Sequence, residues 1–170
     1  MGQIKKVISG GQTGVDQAAL RAAIASGIPI DGWCPPGRLC EDGVIPEEFP
    51  LKETPCERSE GAPEIPRSLR TEWNVRDSDG LLILTESTST LDPGTNWAIL
   101  CSIHYKKPYM IEDPGNPLSQ ARSRKWIEAN SIGVLNVAGP SEKTEPGIGR
   151  LAYIFLMQVL SYTISDPRKG

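Results

Sequence analysis

Gly10-Gly11-Gln12-Thr13-Gly14 sets three glycines, an amide and a hydroxyl in five residues, and Asp16 follows two positions later. Glycines lack a Cβ, so the backbone can turn tightly and approach a ligand closely. Apolar Ile4, Val7 and Ile8 precede the loop, and the helical spacing of Val15, Ala18, Ala19, Ala22 and Ala23 follows it. A loop between strand and helix presents the free N–H groups of the helix start, where the dipole favours an anion. The chemistry is that of a phosphate-binding loop, with Thr13 adding a hydroxyl donor. The spacing is not G-x-G-x-x-G, and no G-K-[ST] follows, so it matches neither the dinucleotide fingerprint nor the Walker loop. The competing reading is a plain tight turn with Thr13 or Asp16 as a helix cap. Two roles are open to Asp16: complementing the dipole, or accepting hydrogen bonds from a ligand.

Three further polar loops are expected on the same edge of a sheet, where ligands of such folds bind. Arg38 closes Trp33-Cys34-Pro35-Pro36-Gly37-Arg38 and suits a bidentate pair with an oxyanion. Gly94, Thr95 and Asn96 end a loop before a helix and form a second candidate anion cradle. Gly139 and Ser141 open a third loop ahead of the last helix. Arg70, Asn74 and Asp77 share one helix face by spacing. That face reads first as solvated and laced with intrahelical ion pairs, with Arg70 and Asn74 as its candidate ligand contacts. Cys34 reads as a small buried hydrophobe rather than a metal ligand. His104, the single histidine, reads as a surface residue. No Ser-His-Asp set, Cys-His pair or metal cluster emerges, so the chain reads as a binding protein rather than an enzyme.

These loops need a frame to hold them. Residues 4–9 read as a strand, 15–26 as a helix stopped by Gly27, and 28–33 as a second strand, which makes one βαβ unit. Residues 35–66 are rich in Pro, Gly and Glu without periodicity and read as a flap or pocket wall. Helical spacing returns over 68–79. The apolar run Leu81-Leu82-Ile83-Leu84 suits a central parallel strand. A helix over 95–105, a strand over 108–111, a helix over 119–130 and a strand over 132–137 follow. A last helix is expected over 146–162, with Pro146 in its first turn. Five strands alternating with helices predict one α/β domain over 1–170, a Rossmann-like doubly wound, mostly parallel sheet.

The bulk numbers agree. Hydrophobic residues make up 38% and charged residues 23%, a globular balance. A net charge of -3 and a pI near 5.3 speak against nucleic acid as a partner. The four cysteines form no C-x-x-C pair and read as free thiols of a reducing compartment. No signal peptide is evident, and the apolar stretch Ala152 to Leu160 is too short to cross a membrane, so a cytoplasmic setting is expected.

The string Ile8-Ser9-Gly10-Gly11-Gln12-Thr13-Gly14-Val15-Asp16-Gln17-Ala18-Ala19-Leu20 resembles the start of the family of proposed molybdenum cofactor carriers. The resemblance continues through Gly32-Trp33-Cys34-Pro35, Glu41-Asp42-Gly43-Val44-Ile45-Pro46 and the helix Arg70 to Asp79 with Gly80. It ends with Leu135-Asn136-Val137-Ala138-Gly139-Pro140-Ser141 and Pro146-Gly147-Ile148. It implies a homotetramer that binds the molybdenum cofactor (molybdopterin), protects it and delivers it to molybdoenzymes. The implied partners are the pterin cofactor and, transiently, molybdoenzymes or cofactor-synthesis proteins, with no nucleic acid and no membrane. That family is similar in fold to the Rossmann-type nucleotide-ligand proteins that include the lonely-guy phosphoribohydrolases and the DNA-processing-protein group. The phosphoribohydrolases carry P-G-G-x-G-T-x-x-E with a catalytic Glu. This chain is shorter there, Pro93-Gly94-Thr95-Asn96-Trp97-Ala98, and sets Ala98 at the Glu position. A nucleotide hydrolase using Glu72 or Asp77 as base, and a nucleotide-derivative sensor, are the alternatives.

Overall fold

The structure, a computed structural model, describes residues 3–162. Strand β1 (Lys6–Ile8) runs into the glycine loop and then helix α1 (Val15–Ala25). Strand β2 (Ile30–Asp31) is followed by β3 (Trp33–Cys34), β4 (Leu39–Cys40), β5 (Gly43–Val44) and β6 (Lys52–Glu53). Helix α2 (Ser68–Arg76) leads to β7 (Gly80–Leu84) and helix α3 (Pro93–His104). Strand β8 (Tyr109–Glu112), helix α4 (Ser119–Ala129), strand β9 (Val134–Ala138) and helix α5 (Ile148–Tyr162) complete the order.

Five of these strands form one parallel sheet in the order β2-β1-β9-β7-β8. Strand β7 is buried at every position. Its alternation sends Leu82 and Leu84 into the core beneath α1, α4 and α5, and Leu81 and Ile83 into the core shared with α2 and α3. The doubly wound α/β expectation holds. The last strand takes the central place. If strands are numbered from β9, as though α5 ran on into β1, the order across the sheet becomes 3-2-1-4-5, that of doubly wound folds. The crossover in that order lies between β9 and β7.

Two element boundaries differ from the sequence reading. The expected strand over 28–33 splits at Gly32, whose φ of 145° and contact with the Ser9 backbone leave no room for a Cβ. Ile30–Asp31 stays with β1, whereas Trp33–Cys34 leaves to pair with β6. The last helix starts at Ile148 rather than Pro146, because Gly147 sits at φ 88° and interrupts helical geometry.

The segment expected as a flap is a packed wall over residues 35–54. Leu20, Cys34, Ile45, Phe49 and Leu51 close a small core of their own. Arg38 is the hub: its guanidinium donates to the carbonyls of Leu51 at 3.1 Å, Pro46 at 3.1 Å and Phe49 at 2.7 Å. The expectation that Arg38 meets an oxyanion is therefore corrected; its fork is filled by backbone. Arg38→Ala strands these carbonyls and is expected to cost about 2–4 kcal/mol, lowering the melting temperature by roughly 5–10 °C. Thermal unfolding checks this, and a melting temperature within a degree of wild type would contradict it.

Candidate functional site

A cleft of about 250 Å³ opens where β1, β9 and the start of α3 converge, with α2 as one wall and Glu41 at its rim. This is the carboxyl end of the sheet, beside the β9–β7 crossover, where doubly wound folds bind ligands. Gly10 and Gln12 come from the first loop, Asp16 from the first turn of α1, Arg70 and Asn74 from α2, Gly94 and Thr95 from the start of α3, and Gly139 and Ser141 from the loop after β9. Gly11, Thr13, Gly14, Arg38 and Asn96 do not border the cleft. Gly11 (φ 79°) lies under Ile45 and Leu51, and Asn96 is exposed. Gly14 adopts φ 78° where Pro140 and Glu142 crowd the space a Cβ would take. The two glycine-bearing loops are thereby pressed together.

The floor rests on a buried ion pair. Asp16, 2% exposed, accepts a hydrogen bond from Arg70 Nη1 at 3.0 Å and another from the Gln12 N–H at 3.2 Å. Burial pushes the Asp16 carboxyl above the ordinary carboxylate range, while the Arg70 charge and the Gln12 N–H pull back against it. Arg70 lies across Gly10, and a Cβ there would collide with its guanidinium. Asp16 sits in the first turn of α1, where a carboxylate complements the dipole, and it also neutralises a buried arginine.

Carboxylates of the chain itself fill the cradles that the sequence marks for an anion. Glu41, in the β4–β5 turn, accepts from the Thr13 hydroxyl at 2.7 Å, the Ser141 hydroxyl at 2.5 Å and the Lys143 N–H at 3.4 Å. Burial presses its carboxyl upward, but the Ser141 and Thr13 hydroxyls outweigh that and hold it below the ordinary glutamate value. Asp92 caps α3 by accepting from the Thr95 N–H at 3.0 Å and hydroxyl at 2.8 Å. Glu142 accepts from the N–H groups of Gly147 at 2.5 Å and Gly149 at 3.1 Å. The hydroxyls of Thr13, Ser141 and Thr95 are thus engaged within the protein.

The polar face of α2 is solvated only at its end: Asp77 is exposed and pairs with Arg76 as expected, whereas Arg70 and Asn74 turn inward into bonds with other elements. Asn74 is 2% exposed and holds Trp33 through both backbone groups, at 2.8 and 2.9 Å. Asp77 accepts from the Trp33 indole at 2.7 Å, and also pairs with Arg76. Glu72 is taken by the Ser59 hydroxyl at 2.5 Å and the Tyr105 hydroxyl at 2.9 Å. Neither Glu72 nor Asp77 borders the cleft. Ala98, at the position where phosphoribohydrolases carry their Glu, is buried and lines it. Cys34 is fully buried in the wall core, where burial pushes its thiol up. His104 is exposed, as expected. Among the described residues no group of His, Cys, Asp and Glu is arranged to hold a metal ion, and no helix is long and apolar enough to cross a membrane.

Glu41, Arg67 and Asn136 are cleft residues that the sequence reading did not single out as candidates. Glu41 was visible only as part of a recurring string. Arg67 starts α2 in a left-handed conformation (φ 61°, ψ 21°), and among the described residues its guanidinium has no partner. Asn136, like Glu41 part of a string that carries the family resemblance, is also marked as a polar residue inside an apolar strand.

The sequence profile of the circularly permuted YpsA SLOG family matches residues 7–160. The chain belongs to this family. The permutation agrees with the strand order, in which the central strand comes last. A comparison with curated proteins finds no match. A solved structure named "putative molybdenum carrier protein", from Syntrophus aciditrophicus SB, is 38% identical to this SLOG chain with a TM-score of 0.79. The alignment covers 94% of this chain and 96% of that one.

The Glu41 tie sets a pH dependence for this SLOG domain. A carboxyl lowered in the fold contributes stability above its unfolded value, near 4.5, and loses it as pH falls through the folded value. Melting temperatures measured at pH 7 and at pH 3.5 are expected to differ less in Glu41→Gln than in wild type. Equal pH dependence in both would remove Glu41 from this role.

Proposed function

We propose that this SLOG-family chain is a binding protein that carries the molybdenum cofactor as cargo and hands it to molybdoenzymes, in the cytoplasm and as a homotetramer. One observation carries the reading. Every carboxylate bordering the cleft (Asp16, Glu41 and Asp92) is engaged as a hydrogen-bond acceptor, whereas two arginines, Arg67 and Arg70, line it and the Arg67 guanidinium has no partner among the described residues. Such a set holds an anion and has no carboxylate free to move a proton. The phosphate of the cofactor suits the two guanidiniums. No cysteine lines the cleft, so N–H and O–H donors would hold the molybdenum through its oxygens. The name of the Syntrophus structure supports this ligand, and the exposed apolar side chains Leu100, Ile103, Tyr109 and Ile111 support an oligomer. A phosphate-bearing nucleotide is the second reading, favoured by the position of the cleft at the sheet crossover.

Anaerobic mixing with free molybdenum cofactor, followed by gel filtration, tests the proposal. Pterin and molybdenum are expected to co-elute near one per chain and to reactivate a cofactor-free molybdoenzyme. Arg67→Ala should fold normally and bind at least tenfold more weakly, about 1.4 kcal/mol. Absence of co-elution from wild type would overturn the carrier reading, and undiminished binding by Arg67→Ala would overturn the placement of the phosphate.

A further inference from the structure

Strand β8 closes one side of the sheet and, among the described residues, has β7 as its only strand neighbour. The carbonyls of Pro108 and Glu112 turn to β7, accepting from the Leu81 and Thr85 N–H groups at 3.0 and 3.1 Å. Backbone groups alternate along a strand, so the N–H and C=O of Tyr109 and Ile111 point the other way, along the free edge. Pro108 stands on the β7 side of that alternation and takes no donor from the edge. The side chains of Tyr109 and Ile111 share the sheet face of Leu81 and Ile83, their partners in register. Helices α2 and α3 bury Leu81 and Ile83 completely but leave Tyr109 and Ile111 40% and 43% exposed. The opposite edge differs: β2 is two residues long, and the chain leaves it at Gly32 to pair elsewhere. Native edges are guarded against pairing by charge, proline or a covering segment, and the open positions of β8 carry neither charge nor proline.

The charges that flank the strand select its partner. Lys106-Lys107-Pro108-Tyr109-Met110-Ile111-Glu112-Asp113 is basic at its start and acidic at its end. Laid antiparallel against itself, that pattern is self-complementary. A two-fold axis at Met110 keeps the same faces of the two sheets together. Tyr109 then lies opposite Ile111 of the second copy, and the outward N–H and C=O groups of both are exchanged. Lys107 faces Asp113 at each end, an opposite-charge cross-strand pair. The Lys107 ammonium has no partner among the described residues, and the Asp113 carboxylate is held in place by the Ser87 and Gly115 N–H groups. An axis at Tyr109 would instead set Lys107 against Ile111, and an axis at Ile111 would set Asp113 against Tyr109. We propose that β8 pairs antiparallel with β8 of a second copy of this chain, joining two sheets edge to edge about Met110. The inference rests on the reading of the chain as a homo-oligomer and adds which surface assembles it and in what register.

Analytical ultracentrifugation of the full chain and of its Ile111→Pro and Ile111→Lys variants tests it. Proline at this outward position removes an edge donor without touching the β7 ladder, and lysine sets a charge on the open face. Wild type is expected to sediment as a tetramer, and both variants at half that mass or less with unchanged far-ultraviolet circular dichroism. A wild-type dimer that both variants split would support the interface and overturn the tetramer. Variants that keep the wild-type mass would overturn the interface and leave the oligomer standing, and a monomeric wild type would overturn both. Met110→Cys tests the register, with Cys56→Ser removing the exposed native thiol. Cα atoms of a non-hydrogen-bonded antiparallel pair lie about 4.5 Å apart, within disulfide reach. Mild oxidation is expected to cross-link Met110→Cys into dimers and to leave Tyr109→Cys uncross-linked in the same background. The reverse result, or no difference between the two, would overturn the register.

Discussion

Asp16 and Arg70 meet at 3.0 Å beneath the cleft, one on the first turn of α1 and the other on α2. Neither charge could stay there alone. Taking a carboxylate out of water is costly, and removing the partner of a buried ion typically costs about 3–5 kcal/mol. The pair therefore dictates where α2 lies relative to the glycine loop, and with it the position of everything α2 carries. Arg67 reaches the cleft from the start of that helix. Asn74, one turn beyond Arg70, secures the backbone of Trp33, and so ties β3 to the same frame. The absence of a side chain at Gly10 is a consequence of the pair, because the guanidinium needs that space.

Around this floor the helix starts are already satisfied. Asp92 at α3 and Glu142 at α5 accept the N–H groups that an anion would otherwise take, and Glu41 joins the glycine loop to the loop after β9. The helix dipoles are thus complemented from within. Anion recognition passes to guanidinium groups, whose planar fork suits phosphate geometry. The site is a rigid polar basin, with its walls fixed by hydrogen bonds and lined by Arg67 and Arg70.

The sheet and its helices were legible in the sequence because their signals are local. The apolar residues Ile4, Val7 and Ile8, the alanine-rich stripe of α1 and the four-residue apolar run of β7 each follow from one element's own burial. Residues 35–54 were not legible. Their strands are two residues long, too short for periodicity, and their core forms only against Leu20 of a distant helix. Arg38 and Asn74 illustrate a second limit. Their polar groups suit a ligand on paper, but backbone carbonyls, and for Asn74 also the Trp33 N–H, brought near by the fold took them first. Asn136 is the converse, a polar residue among apolar neighbours that only the packed sheet places at the cleft. The strand order could not be read either, since local pattern says nothing of which strands pair.

That order bears on how the chain comes to be folded. The strand at the middle of the sheet is the last of the nine described strands to leave the ribosome, and it joins β1 across 128 residues, as in the contact of Ser9 with Val137. Until it arrives, β2 and β1 on one side and β7 and β8 on the other are two half-sheets, each with an apolar edge and no neighbour. Pairing over such separations carries a large loop-closure cost and slows folding. Between the emergence of β8 and that of β9 the nascent domain therefore stands as two open halves, and the cleft comes into being in the same step that closes the sheet, because β9 supplies both the bridge between the halves and the floor on which a ligand would rest.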